Sequence, residues 1–180
     1  MLAIVPFKGL DGAKTRLAAV LSPEERARLA FEMLERVLVA CEGAVAIERT
    51  LLVTPEPGAL PAGPDVLVDS GVGHAEAVVL ALADPRAAAG ALVVMADCPL
   101  VESASLDTLA EAARPLALVR ARDGGVNALA LEDVTAFQPR FGTPAEEMIA
   151  QARAAGLEPV VLDDPTLALD VDRPEDLAFA

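Results

Sequence analysis

Tryptophan and tyrosine are absent from this chain of 180 residues, and its only aromatics are five phenylalanines. Hydrophobic residues nevertheless make up 54%, enough for one globular domain with a substantial core. Cysteine is nearly absent too. Cys41 falls in a helical pattern and Cys98 stands far from it, a spacing that excludes both a disulfide framework and a zinc site and leaves two free thiols. Basic residues are few: 14 Lys and Arg against 28 Asp and Glu give a formal net charge of −14, which argues against a nucleic-acid partner. No apolar stretch approaches the roughly 20 residues that span a bilayer, and Met1 leads through a short apolar run to Pro6-Phe7-Lys8 without a basic leader. These absences read as a soluble, cytoplasmic protein with no membrane association.

Against that background the carboxylates stand out. Asp170-Val171-Asp172 puts two acids on one side of an extended segment, because residues two apart on such a chain point the same way. Asp97, in Met95-Ala96-Asp97-Cys98-Pro99-Leu100, ends an apolar run. Together they suggest a three-carboxylate site for a hard divalent cation such as Mg²⁺, and hence phosphate chemistry. Two of these acids have a plainer role open to them: Asp97 as a turn residue, Asp172 as the N-cap of a last helix with Glu175 as its capping-box partner. Asp170 has no such alternative. Lys8, Lys14 and Arg16 cluster in a loop that also carries Gly9 and Gly12, suited to neutralising a triphosphate, although neither a Walker loop nor a Gly-x-Gly-x-x-Gly fingerprint is present. A surface connection with ordinary basic residues fits the same loop. Gly71-Val72-Gly73 and Asp123-Gly124-Gly125 read locally as tight turns, and His74, the one histidine, as a helix-terminus or pocket-lining residue.

Strand and helix signals alternate. Apolar or β-branched runs predict strands at Leu2–Val5, Thr50–Thr54, Asp65–Val68, Ala91–Met95, Leu116–Arg120, Asn127–Leu131 and Pro159–Leu162. Ser22-Pro23-Glu24-Glu25 is a capping box with proline at the first helical position, opening a helix that ends at Gly43. Further helices are expected at about Ala75–Ala83, Ser103–Ala113 and Thr143–Ala155, the last closed by Gly156. The alternation implies an α/β domain, doubly wound on a mostly parallel sheet, spanning residues 1–180. Ligands of such sheets bind beyond the carboxyl ends of the strands, where the first loop, Asp97 and Asp170 would gather.

Val5-Pro6-Phe7-Lys8 with Ala13-Lys14-Thr15-Arg16-Leu17, then Ala96-Asp97-Cys98-Pro99-Leu100, Asp123-Gly124-Gly125 and Leu169-Asp170-Val171-Asp172-Arg173-Pro174-Glu175-Asp176-Leu177, taken in order, resemble the phospholactate/phosphoenolpyruvate guanylyltransferases. These enzymes serve biosynthesis of a deazaflavin redox coenzyme. The resemblance implies a three-layer fold like that of nucleotide-diphospho-sugar transferases, and a reaction in which a small phosphorylated carboxylic acid attacks the α-phosphorus of GTP and pyrophosphate leaves. It implies Asp97, Asp170 and Asp172 as holders of Mg²⁺, and Lys8, Lys14 and Arg16 as stabilisers of the triphosphate. Pro6, Gly71, Gly73 and Asp97 would line the nucleotide, and Val126, Asn127, Gly142, Thr143 and Ala145 the acceptor. Relatives of this kind include monomers and dimers, so a homodimer is an open arrangement.

The chain departs from that pattern in three places. Ala75 follows Gly71-Val72-Gly73-His74 where the family has asparagine; Val126 stands where it has threonine before Asn127; and Phe141-Gly142-Thr143-Pro144-Ala145 replaces Phe-Gly-x-Gly-Ser. Two hydroxyls for the acceptor are thereby lost, with Thr143 as a partial substitute. A different base or acceptor on the same fold, such as a molybdenum-cofactor-type transferase, and a non-catalytic nucleotide-binding relative are the alternatives.

Overall fold

The computed structural model describes residues 1–179, with Ala59 described in its backbone alone. Seven strands form one sheet in the order β3-β2-β1-β4-β6-β5-β7: β1 Leu2–Pro6, β2 Arg49–Thr54, β3 Asp65–Val68, β4 Ala91–Val94, β5 Leu116–Arg120, β6 Val126–Leu131 and β7 Val160–Leu162. All pairings are parallel except those of β6 with β4 and with β5. Residues 121–125 between β5 and β6 are too few for a parallel crossover, which takes a dozen or more, so Asp123-Gly124-Gly125 turns the chain straight back. Asp123 Oδ1 accepts from the Gly125 N–H at 2.9 Å to fix that turn. The mostly parallel reading holds, and the reversed β6 has a consequence for the site: its first residues lie at the same edge as the carboxyl ends of β1 and β4, with the Met95 N–H donating to the Asn127 carbonyl at 2.9 Å.

Alternation along the strands builds the three layers. Ala3 and Val5 of β1, with Leu92 and Val94 of β4, share a buried cluster with Leu34, Val37 and Cys41 of α1 (Pro23–Gly43) and with Leu106 and Leu109 of α3 (Ser103–Ala112). Leu2, Ile4 and Val93 point to the other face. There they meet Val78 and Ala81 of α2 (His74–Leu82) and Met148 and Ile149 of α4 (Ala145–Ala154). Cys41 and Cys98 are both buried free thiols, and burial pushes the Cys41 thiol up to about 12.

Helix ends follow the local chemistry. Ser22 caps α1 with its side chain accepting from the Glu25 N–H at 3.2 Å, and Glu25 returns a bond to the Ser22 N–H at 2.8 Å. The helix expected from Thr143 begins at Ala145 instead, because Pro144 holds the extended backbone of a cap and the Thr143 hydroxyl donates to the Arg140 carbonyl at 2.8 Å. A single-turn helix, α5 (Pro165–Ala168), carries no sequence periodicity and rests on Asp164, which accepts from the Thr166 and Leu167 N–H groups. The last helix is a 3-10 segment, Pro174–Phe179, and Asp172 does not cap it with Glu175. Asp176 reaches back instead, accepting from the N–H groups of Asp172 and Arg173 at 3.1 and 2.8 Å, while the Asp172 carboxylate is taken up by two cations. Two full positive charges attract the Asp172 carboxylate, and Asp176 serves the two N–H groups in its place.

Among the described residues no helix is long and apolar enough to cross a membrane.

Candidate functional site

A cavity of about 740 Å³ opens at the edge of the sheet where β1 and β4 end and β6 begins. Pro6 ends β1 in its wall, and the loop that follows contributes Lys8, Lys14 and Arg16. Asp97 comes from the turn after β4, Val126 and Asn127 from the start of β6, Gly73, His74 and Ala75 from the start of α2, and Gly142 from the turn ahead of α4. Asp170 and Asp172 close the ring. Three of the expected residues lie elsewhere. Gly71 borders a small adjoining crevice with Pro55 and Asp69, the Thr143 hydroxyl is committed to Arg140, and Ala145 is buried in the apolar layer beneath the sheet. The departures at Ala75 and Val126 therefore fall in the cavity wall and the one at Ala145 does not.

Asp170 and Asp172 do not belong to a strand; the Val171 N–H donates to the Asp97 carbonyl at 3.2 Å and draws their segment alongside the β4 turn. Val171 points the opposite way, into a small cluster with Leu17 and Met33. The result is one carboxylate oxygen from each of Asp97, Asp170 and Asp172 within 4.8 Å of one another. An all-oxygen anionic donor set of this kind fits a hard divalent cation.

Cations crowd the same carboxylates. Lys14 Nζ donates to Asp97 Oδ2 at 2.5 Å and to Asp172 Oδ1 at 3.0 Å, and Arg16 Nη1 donates to Asp172 Oδ2 at 2.5 Å. Burial alone would lower the Lys14 pKa; Asp97 and Asp172 outweigh it and hold the ammonium above its ordinary value. Burial would likewise raise the Asp172 carboxyl, and Lys14 and Arg16 reverse that to bring it below the usual range. Asp170 differs. Burial, with Asp97, Asp123 and Asp172 close by, pushes its carboxyl up against the single hydrogen bond it accepts from Asn127 Nδ2 at 3.1 Å.

Lys14 is also the one non-glycine with positive φ among the described residues, at φ 49° and ψ 47°. Such a backbone costs about 1–3 kcal/mol and persists only where the surroundings impose it. Leu17 is fully buried and anchors the 3-10 turn Thr15–Leu17, while Arg26 of α1 donates to the Ala13 and Leu21 carbonyls, both at 3.0 Å. The loop is thus clamped on both sides of Lys14.

Two features of the site have no local signal in the sequence: the Asn127–Asp170 bond, which joins residues 43 apart, and the Leu17–Met33–Val171 cluster, whose members come from three separate segments. His74 is half-buried at the cavity, where desolvation, followed by the nearby Lys8, lowers its pKa below the ordinary value.

The family described as "Guanylyl transferase CofC like" matches residues 1–179. A phosphoenolpyruvate guanylyltransferase of Sphaerobacter thermophilus is 38% identical over 98% of this chain and 90% of its own. A 3-phospho-D-glycerate guanylyltransferase of Phenylobacterium zucineum is 38% identical over 97% of this chain and 86% of its own. A 2-phospho-L-lactate guanylyltransferase of Methanoregula boonei is 32% identical over 97% and 79% respectively. Among solved structures, one from Desulfovibrio desulfuricans G20 described as a nucleotide-diphospho-sugar transferase has the same fold, with a TM-score of 0.78 at 18% identity over 98% of this chain and 84% of that one. The chain belongs to the CofC-like guanylyl transferase family.

Proposed function

We propose that this protein is a Mg²⁺-dependent guanylyltransferase that joins GMP from GTP to a small phosphorylated carboxylic acid with release of pyrophosphate. The observation that carries the reading is the convergence of Lys8, Lys14 and Arg16 with Asp97, Asp170 and Asp172 on one cavity, in a chain otherwise strongly acidic. Its relatives' names supply the substrate class: phosphoenolpyruvate, 3-phospho-D-glycerate and 2-phospho-L-lactate guanylyltransferases.

In this reading a phosphate oxygen of the acceptor forms a bond to the α-phosphorus of GTP as the α–β bridging P–O bond breaks in line. The acceptor phosphate is already ionised at neutral pH, so no side chain has to remove a proton from it. Lys8, Lys14 and Arg16 oppose the negative charge of the triphosphate and of the departing pyrophosphate, a preorganised electrostatic role. Asp97, Asp170 and Asp172 would hold Mg²⁺, which when bound supplies charge neutralisation at the phosphate oxygens. Pro6 and Gly73 border the nucleotide. Val126, Asn127 and Gly142, across the cavity, face the acceptor.

The test is product identity. Incubating the protein with Mg²⁺, GTP and phosphoenolpyruvate, phospholactate or phosphoglycerate in turn, and following ³¹P NMR and product mass, should give a guanylylated acid and one equivalent of pyrophosphate with at least one acceptor. GTP unchanged with all three would refute the substrate assignment.

A further inference from the structure

The three carboxylates are not equivalent. Asp97 and Asp172 share the Lys14 ammonium, at 2.5 and 3.0 Å, whereas Asp170 touches no cation and takes only a neutral hydrogen bond from Asn127. The Lys14 side chain is 10% exposed, so its charge sits between Asp97 and Asp172 and largely out of solvent. Its left-handed backbone, held by Leu17 and Arg26, aims it there. An ammonium and a divalent cation cannot use the same oxygens at once, since two positive charges at contact distance in a partly buried site repel strongly. A lysine carries a compact charge on a flexible four-carbon stem and can be redirected without unfolding the loop. A triphosphate in the cavity that Lys14 also lines offers that charge a new partner.

We infer that Lys14 competes with the metal for Asp97 and Asp172, so that the nucleotide-free protein binds divalent cations weakly and the metal enters together with the triphosphate, whose phosphates draw Lys14 away. This ordering rests on the reading of Asp97, Asp170 and Asp172 as metal ligands. Asp170, free of any cation, is the carboxylate that gives an incoming ion its first anchor. The device would keep the protein from holding a metal before the substrate that needs it arrives.

The experiment is Mn²⁺ binding to nucleotide-free protein, followed by EPR of the free ion, for wild type, Lys14→Met and Asp170→Asn. The inference predicts that Lys14→Met binds Mn²⁺ at least tenfold more tightly than wild type, and that adding Asp170→Asn to Lys14→Met abolishes the gain. In parallel, Mn²⁺ should raise the melting temperature of Lys14→Met more than that of wild type, since a ligand that binds only the folded state stabilises it according to its affinity. Removing Lys14 leaves two acids unopposed; should Lys14→Met not fold, Lys14→Asn serves as the second variant, because asparagine tolerates the left-handed backbone at this position. Equal Mn²⁺ affinity in wild type and the Lys14 variants, with binding lost in Asp170→Asn, would overturn the competition and leave the metal site standing. No Mn²⁺ binding in any form, with or without Asp170, would overturn both.

Discussion

Asp170 concentrates the chemistry of the site in one residue: half-buried among other acids, unpaired with any cation, and held by Asn127 alone. Asp170→Asn should lower turnover to below about one-hundredth of wild type, in line with the loss of a group that organises charge in the reaction. The fold should survive, because the substitution removes a half-buried charge whose pKa the site already raises; equilibrium urea unfolding in EDTA should show the variant at least as stable as wild type. Asn127→Ala makes a finer test. Residues that orient a metal ligand typically contribute about 10–100-fold to metal affinity, and Mn²⁺ titration in the presence of nucleotide should show a loss in that range with little change in melting temperature. His74 gives the site a pH signature. Its pKa in the folded protein lies below the ordinary 6.5, so the unfolded chain takes up a proton first as pH falls. Stability should therefore decline as pH drops through about 6.5 and continue to decline until the folded pKa is reached. Asp172 acts lower on the scale: its depressed carboxyl adds stability that is fully present above the usual aspartate value near 3.8 and is lost only below it. Urea midpoints at pH 7.5 and 5.5 should separate in wild type, and His74→Gln should narrow the gap.

At the scale of elements, the site depends on how the loop after β1 is pinned. Leu17 is fully buried against Met33 of α1 and Val171 of the carboxylate segment, so one apolar contact sets Lys14 and Arg16 against Asp172. Leu17→Ala should cost about 2–5 kcal/mol of stability, as expected for a buried leucine, and should raise the KM for GTP more than a substitution of similar cost elsewhere in the core. Much of this level was legible in the sequence. The Ser22 capping box with Pro23, the strands β3 and β5, and the alternating order all followed from local pattern. The direction of β6 did not announce itself in its apolar run, though the short Asp123-Gly124-Gly125 turn carried it. The capping role that the sequence leaves open to Asp172 is not taken up, for a physical reason: Lys14 and Arg16, which claim its carboxylate, lie more than a hundred residues away and meet it only in the folded chain. The acceptor side was less legible still, since Thr143 and Ala145 sit beside Pro144, which ends the turn and carries both away from the cavity.

For the molecule as a whole, charge and topology work in opposite directions. A net charge of −14 disfavours approach of any anion, yet the sheet brings Lys8, Lys14 and Arg16 to one edge, among the acids Asp97, Asp170 and Asp172 that would hold a divalent cation. Doubly wound sheets place ligands at this edge by construction, and the reversed β6 adds Val126 and Asn127 to it. The most direct measurement is pyrophosphate release with each of the four nucleoside triphosphates, with Mg²⁺ or with EDTA, against phosphoenolpyruvate, phospholactate and phosphoglycerate. A Mg²⁺-dependent guanylyltransferase should release pyrophosphate with GTP, only with Mg²⁺ and only with one of these acids; release that persists in EDTA or requires no acceptor, or silence across the panel, would contradict that activity.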